Sequence, residues 1–172
     1  MGRRLEIVVA GAGVAGLACA AALGRAGHSV TVVEQAPALG EVGAGLQLSP
    51  NAVRALDWMG AGEAARAAAS RPEAVELRLH RTASVVYRMG LGRTAEARWG
   101  APYLHLHRAD LLAALEGAAR AQGARIRLGE RVERAGDRRG GASLHTDAGR
   151  LDADLVLGAD GVRSTLRGDL AN

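Results

Sequence analysis

Phenylalanine is absent from this sequence, and tryptophan and tyrosine together bring the aromatic content to only 2%. A core without large rings must be assembled from Ala, Leu and Val. Lysine is absent as well, so all 22 basic residues are arginine. Combined with heavy use of Ala and Gly, this pattern matches a coding bias toward GC-rich codons better than a selected binding surface. A net charge of +4 and a pI near 10.4 would permit a nucleic-acid partner. The arginines, however, are scattered and not interleaved with stacking aromatics, so no nucleic-acid partner is expected. The lone Cys19 excludes an intramolecular disulfide and fits a reducing, cytoplasmic compartment. In its apolar helical stretch it reads as a small buried hydrophobe.

Long apolar runs are also scarce. Residues 1–23 carry Arg3 and Arg4, then an apolar stretch with Ala18-Cys19-Ala20, which mimics a secretory leader. Glu6 inside the run and glycines at a spacing of another kind argue against that. The stretch is too short and too interrupted by glycine for a transmembrane helix. What is present, 48% hydrophobic and 23% charged residues with no repeat or low-complexity tract, describes a globular chain long enough for one good core.

Along the chain, Leu5–Ala10 reads as a buried parallel strand. Val14–Arg25 reads as an Ala-rich helix closed by Gly27, and Ser29–Val33 as a second strand with Glu34 at its end. Gln35–Pro50, with Pro37 and three glycines, reads as a loop. Pro50 or Asn51 opens a helix through Trp58, and Glu63–Ala69 forms another. Val75, Leu77 and Leu79 alternate with polar residues as a strand, paired in a hairpin with Ser84–Arg88. Tyr103–His107 leads into a helix over Ala109–Ala121, stopped by Gly123. Ile126 and Leu128 mark a strand. Ser143–Thr146 and Arg150–Ala153 flank a turn, and Leu155–Leu157 reads as a buried strand.

Four segments carry chemistry. In Gly11-Ala12-Gly13-Val14-Ala15-Gly16 the strand before, the helix after and Glu34 closing the second strand raise a common glycine pattern to a dinucleotide-binding fingerprint. Gly11 permits the tight turn and Gly13 lets backbone approach a pyrophosphate. Gly16 lets helix and strand pack closely, and the helix N-terminus offers unpaired N–H groups. Glu34 accepts from ribose hydroxyls and disfavours a 2′-phosphate, so FAD or NAD is expected over NADP. The second segment, from Gly40 to Ala52, contains Gly43-Ala44-Gly45-Leu46 and can lay bare backbone against a flat ring; a plain connector is the competing reading. In the third, His107-Arg108-Ala109-Asp110, Arg108 is either a phosphate clamp or a solvated charge, and Asp110 favours the helix dipole. His105 and His107 share a strand face without a third ligand, so no metal site is expected. The fourth, Gly158-Ala159-Asp160-Gly161-Val162-Arg163-Ser164, follows an apolar strand at the place where open α/β sheets hold ligands.

In this order, "GEVGAGLQLSPNA", "HRADLL" and "GADGVRSTLR" resemble the class A flavoprotein monooxygenases, the group of para-hydroxybenzoate hydroxylase. The likeness is nearest to its salicylate hydroxylase and 3-hydroxybenzoate 6-hydroxylase branch. The resemblance implies an α/β, Rossmann-like FAD-binding domain: three layers, a parallel sheet with a β-meander crossover, and a partial substrate-domain hairpin. Residues 1–172 would be the N-terminal part of that domain, with 73–100 an insertion contributing strands to the substrate domain. Gly11, Ala12, Gly13, Val14, Ala15 and Gly16 would line the pyrophosphate, Glu34 the adenosine ribose, and Gly43, Ala44, Gly45 and Leu46 the flavin ring. Arg108 would contact FAD. Asp160, Gly161 and Arg163 would serve both FAD and NAD(P)H. The family activity is NADH- or NADPH-dependent hydroxylation of a phenolic-acid-like aromatic through a flavin C4a-hydroperoxide. The family's later flavin-binding segment and most of its substrate sheet have no counterpart in these residues. The chain is therefore expected to be inactive alone and to need a C-terminal half or a homodimer partner. Two competing readings are a non-catalytic FAD- or ADP-binding fragment and a related flavoprotein epoxidase or reductase.

Overall fold

The computed structural model describes residues 3–40 and 44–170. In chain order the elements are β1 (Glu6–Ala10), α1 (Val14–Arg25), β2 (Ser29–Glu34), β3 (Gly45–Leu48), α2 (Pro50–Met59) and α3 (Gly62–Ala68). Then come β4 (Ala74–Arg78), β5 (Val85–Gly90), α4 (Gly92–Trp99), β6 (Leu104–His107) and α5 (Arg108–Ala121). The chain closes with β7 (Arg125–Leu128), β8 (Val132–Arg138), β9 (Gly141–Thr146), β10 (Gly149–Ala153), β11 (Leu155–Gly158) and α6 (Arg167–Leu170). They fall into two compact units, one of residues 1–41 and 112–172, the other of residues 42–111.

The first unit is built on a four-stranded parallel sheet in the order β11-β1-β2-β7. Its central strands bury residues on both faces, which is why they read as mainly apolar runs. Ile7, Val9, Val30 and Val32, all at most 2% exposed, alternate toward one face. Against these strands runs α1, whose buried positions are Gly16, Leu17, Ala20 and Ala21. Val8, Ala10 and Val33 point the other way and pack with Leu144, Ala153 and Leu166. Leu144 and Ala153 belong to the antiparallel meander β8-β9-β10, which is inserted between β7 and β11. This is the α/β architecture with a β-meander crossover that the sequence leads one to expect. Small side chains let the layers approach closely: a Cβ on Gly24 would lie 2.7 Å from the Cβ of Gln122. Burying each Val or Leu here contributes about 1.5–3 kcal/mol, so a ring-free core suffices.

The second unit holds two small antiparallel sheets, β3 with β6 and β4 with β5, and the helices α2, α3 and α4. Pro50 opens α2 and Gly60, at φ +86°, closes it. Arg66 on α3 pairs in a fork with Asp57 on α2. That hydrogen bond outweighs the opposing effect of burial and, with a smaller contribution from the charge of Arg66, holds the Asp57 carboxyl below its ordinary pKa.

Several expectations need correction. Gly45–Leu48 is a strand, not a loop, because Leu104–His107 supplies a ladder for it. Val132–Arg138 and Gly92–Trp99 form a strand and a helix that the sequence did not announce. Leu155–Leu157 is not buried: β11 is the sheet edge, and Leu155 is 40% exposed. Cys19 is half-buried rather than sequestered. Among the described residues no helix is long and apolar enough to cross a membrane.

Candidate functional site

Within the first unit the glycine turn joins β1 to α1. Gly11 adopts φ +103°, where a side chain is strained, and its N–H donates to the carbonyl of Val33 at 2.7 Å. A Cβ at Gly11 would stand 2.5 Å from the carbonyl oxygen of Ala159, and one at Gly16 would overlap the carbonyl oxygen of Gly11. Both glycines are therefore required by packing between the turn, the helix and the end of β11. Ala159 in turn donates its N–H to the carbonyl of Ala10 at 2.8 Å. Gly13 differs: it is the helix N-cap in an extended conformation, and nothing lies within 4 Å of where a Cβ would sit. The first helical bond is Leu17 N–H to Gly13 carbonyl. No side chain caps α1 and no acidic residue occupies its first turn. The turn of Val14, Ala15 and Gly16 thus carries the positive end of a helix dipole beside open space, a cradle suited to an anion.

Glu34, half-buried at the end of β2, is held at both oxygens. One oxygen accepts from Ala12 N–H at 2.8 Å and the other from Ala36 N–H at 2.9 Å. A carboxylate has about four acceptor sites, so about two remain. A fixed pair of acceptors next to an anion cradle matches the vicinal hydroxyls and pyrophosphate of an adenosine diphosphate. The residues present fit the ADP portion of FAD.

At the far end of β11, Asp160 does not stand open as its sequence position suggests. One of its oxygens accepts from Ser164 Oγ at 2.7 Å, the other from Thr165 N–H at 2.8 Å and Leu166 N–H at 3.1 Å. Partial burial acts to raise its pKa. The Ser164 hydroxyl and the N–H groups of Leu166, Asp160 and Thr165 outweigh that, and the carboxyl sits below its ordinary value. Asp160 thus fixes the turn carrying Gly161, at φ +80°, and the exposed Arg163. A cavity of about 210 Å³ lies beside it, lined by Gly158, Asp160, Gly161 and Ser164 among others.

In the second unit the β3–β6 ladder pairs Gly45 with His107 and Leu46 with Leu106, and Arg108 N–H donates to the carbonyl of Ala44 at 3.2 Å. Two segments that the sequence treats separately are therefore neighbours; Gly43 lies outside the described residues. Gly45 has nothing within 4 Å of its Cβ position and leaves an open backbone face. His107 Nδ1 accepts from Ala109 N–H at 3.2 Å and so helps cap α5, at whose first residue the half-buried Arg108 stands. A cavity of about 580 Å³ is lined by Gly45, Leu46, Gln47, His105 and Asp110 among others. Tyr103 Oη donates to Gln47 at 2.9 Å, and its ring meets His105 edge-on at 5.8 Å. His105 Nε2 is buried with no hydrogen-bond partner among the described residues. Sequence reasoning missed Gln47, and also Glu130, which is discussed below. Only contacts and burial reveal them: Gln47 sits in the segment from Gly40 to Ala52 without a motif role of its own, and Glu130 lies in none of the four segments.

A family model described as FAD binding domain matches residues 4–171. The chain is 43% identical over 166 residues to a 3-amino-4-hydroxybenzoate 2-monooxygenase of Streptomyces cremeus, covering 96% of this chain and 42% of that protein. It is 40% identical over 165 residues to a 3-hydroxybenzoate 6-hydroxylase of Polaromonas naphthalenivorans, covering 95% and 41%. Among solved structures it resembles the tetrameric form of 2-methyl-3-hydroxypyridine-5-carboxylic acid oxygenase, with TM-score 0.83 and 31% identity over 99% of this chain and 43% of that one. The chain thus spans about two fifths of the length of these relatives.

Proposed function

Because the chain belongs to the FAD-binding domain family, we propose that it is the FAD-holding portion of an NAD(P)H-dependent monooxygenase that hydroxylates a phenolic-acid-like aromatic. The observation that carries this reading is the pairing of an uncapped helix N-terminus at Gly13 with a Glu34 carboxylate that keeps two acceptor sites. The named activities of the relatives on hydroxylated aromatic acids support the substrate class.

When bound, FAD would take hydride from the nicotinamide and activate dioxygen for insertion into the ring. The residues of this chain bind and orient. Gly13 and the first turn of α1 receive the pyrophosphate, and Glu34 accepts from the two ribose hydroxyls, where a 2′-phosphate would meet a like charge. Ala44, Gly45 and Leu46 offer backbone to the flavin ring, and Arg108 contacts FAD. Asp160 holds the turn from which Gly161 and Arg163 serve FAD and NAD(P)H. The β4–β5 hairpin contributes to the substrate-binding sheet. Val75 and Leu77 pair with Met89 and Tyr87 on one face, and all four are exposed by 37–58%. A two-stranded hairpin with a bare apolar face is marginal in water, so further strands of the whole protein would cover it. The lone cysteine agrees with a cytoplasmic setting, and the tetrameric relative agrees with self-association of the whole protein.

The test is to mix the full-length protein with FAD and NADH or NADPH, with and without 3-hydroxybenzoate. A yellow complex and nicotinamide oxidation accelerated by the phenolic acid are expected. Absence of both the yellow complex and the nicotinamide oxidation would overturn the proposal.

A further inference from the structure

Glu130 is an ionisable side chain in an unusual place. It is 4% exposed, in a chain whose other buried polar residues are Ser143 and Thr146 among those described. Both carboxylate oxygens are engaged: Thr146 Oγ donates to one at 2.6 Å, and Arg127 Nε lies 2.7 Å from the other. Glutamate is almost never buried unless paired, and an apolar residue would fill the position without loss of hydration. What the carboxylate adds is geometry. It ties β7, through Arg127, to the end of β9, through Thr146, and so fixes the turn at Gly129 and Glu130. That turn grips the strand end bearing Glu34. Glu130 N–H donates to the carbonyl of Glu34 at 3.0 Å, and Gly129 N–H donates to the carbonyl of Ala36 at 2.9 Å. Ala36 is itself the residue whose N–H holds a carboxylate oxygen of Glu34.

We infer that Glu130 is a positioning residue for the ribose-accepting carboxylate of Glu34, acting through the backbone of the 129–130 turn. The inference rests on the reading of Glu34 given above. Without the brace, the β2 end and the Ala36 N–H lose their fixed register, and Glu34 no longer presents two aligned acceptors. The consequence falls first on the ribose hydroxyls, because the 129–130 turn bonds the end of β2 and Ala36, whereas Gly13 caps α1 and bonds Leu17.

The experiment titrates the cofactor-free full chain calorimetrically with ADP and with 2′,3′-dideoxy-ADP, which differ only in the two hydroxyls. The wild type is expected to prefer ADP, and Glu34→Ala to abolish that preference. Glu130→Ala is expected to cut it by roughly tenfold, the effect of misplacing one charge-assisted hydrogen bond, while dideoxy-ADP affinity stays within about twofold. Thr146→Val, which removes one arm of the brace with little change of volume, should move the ratio the same way by less, and carries the test if Glu130→Ala does not fold. A wild type without preference would defeat the Glu34 reading and this inference with it. A preference lost in Glu34→Ala but intact in Glu130→Ala and Thr146→Val would overturn this inference alone. Equal weakening of both nucleotides would mark Glu130 as merely structural and overturn it too.

Discussion

Replacing Gly13 with alanine separates the two duties that glycines perform in the β1–α1 turn. At φ −71° and ψ −175°, Gly13 has a backbone conformation that alanine accepts, and its Cβ position is empty to 4 Å. Folding stability should therefore respond only to small, opposed effects. Reduced freedom of the unfolded chain gains about 0.4–1 kcal/mol, and alanine is a poorer N-cap than glycine by a comparable amount. The sum is within about 1 kcal/mol of zero. Binding should respond strongly, because the new methyl occupies the space through which a pyrophosphate would approach the N–H groups of the first turn. Loss of one such charge-assisted hydrogen bond, about 1.5–3 kcal/mol, lowers ADP or FAD affinity by at least ~10-fold. Gly16→Ala is the counterpart: its methyl would overlap the Gly11 carbonyl, so stability itself should fall by about 1–3 kcal/mol or more. Thermal melting without ligand, alongside ADP titration, measures both. A Gly13→Ala protein that melts like wild type and binds ADP as tightly would refute the placement of the pyrophosphate at this turn.

Two further outcomes follow from the packing and the charges. Asp160→Asn should lower the melting temperature at pH 7, since a neutral amide oxygen accepts more weakly than a carboxylate from the N–H groups of Thr165 and Leu166, and the amide nitrogen replaces the oxygen that accepts from Ser164. The wild-type carboxyl is depressed in the folded state, so its stabilisation is complete above its unfolded pKa of about 4. It is lost as pH falls through the lower folded value, and melts between pH 7 and 2 should show the gap to the variant closing in acid. Leu144→Ala, at a fully buried contact between meander and sheet, should cost about 2–5 kcal/mol in urea unfolding, with FAD affinity per folded molecule unchanged.

The elements legible in the sequence are those whose signals are local. The apolar run of β1, the glycine spacing and Glu34 at the end of β2 lie within residues 5–34 and need no distant partner to be recognised. β3 was illegible because glycines and prolines around Gly45–Leu48 speak for a loop; the ladder offered by Leu104–His107, far along the chain, overrides them. β8 reads as a charged stretch, and only its pairing with β9 makes it a strand. α4 has little apolar content, and Leu91 and Ala95 anchor it in a way that spacing alone does not announce. The site divides similarly. Type and position of Glu34 are readable, but its grip on Ala12 and Ala36 is not. Asp160 is readable as an acid at a strand end, but the hydrogen bonds by which it organises its own turn are not. Glu130 looks like one more charge among arginines until its burial is seen.

The parallel pairing of Ile7 with Leu155 joins residues far apart in sequence, and this fixes when the proposed nucleotide seat can come into being. The Gly11 turn is closed by Ala159, so β1, α1 and β2 leave the ribosome long before the strand that completes their sheet. At synthesis rates of about 5–20 residues per second, the first strand waits on the order of ten seconds for its neighbour. Closing so long a loop is also intrinsically slow, since the entropy of closure is lost before the contacts reward it. Cofactor capture at the proposed seat therefore waits until Ala159 has emerged, and tight nucleotide binding reports that both ends of this stretch have met.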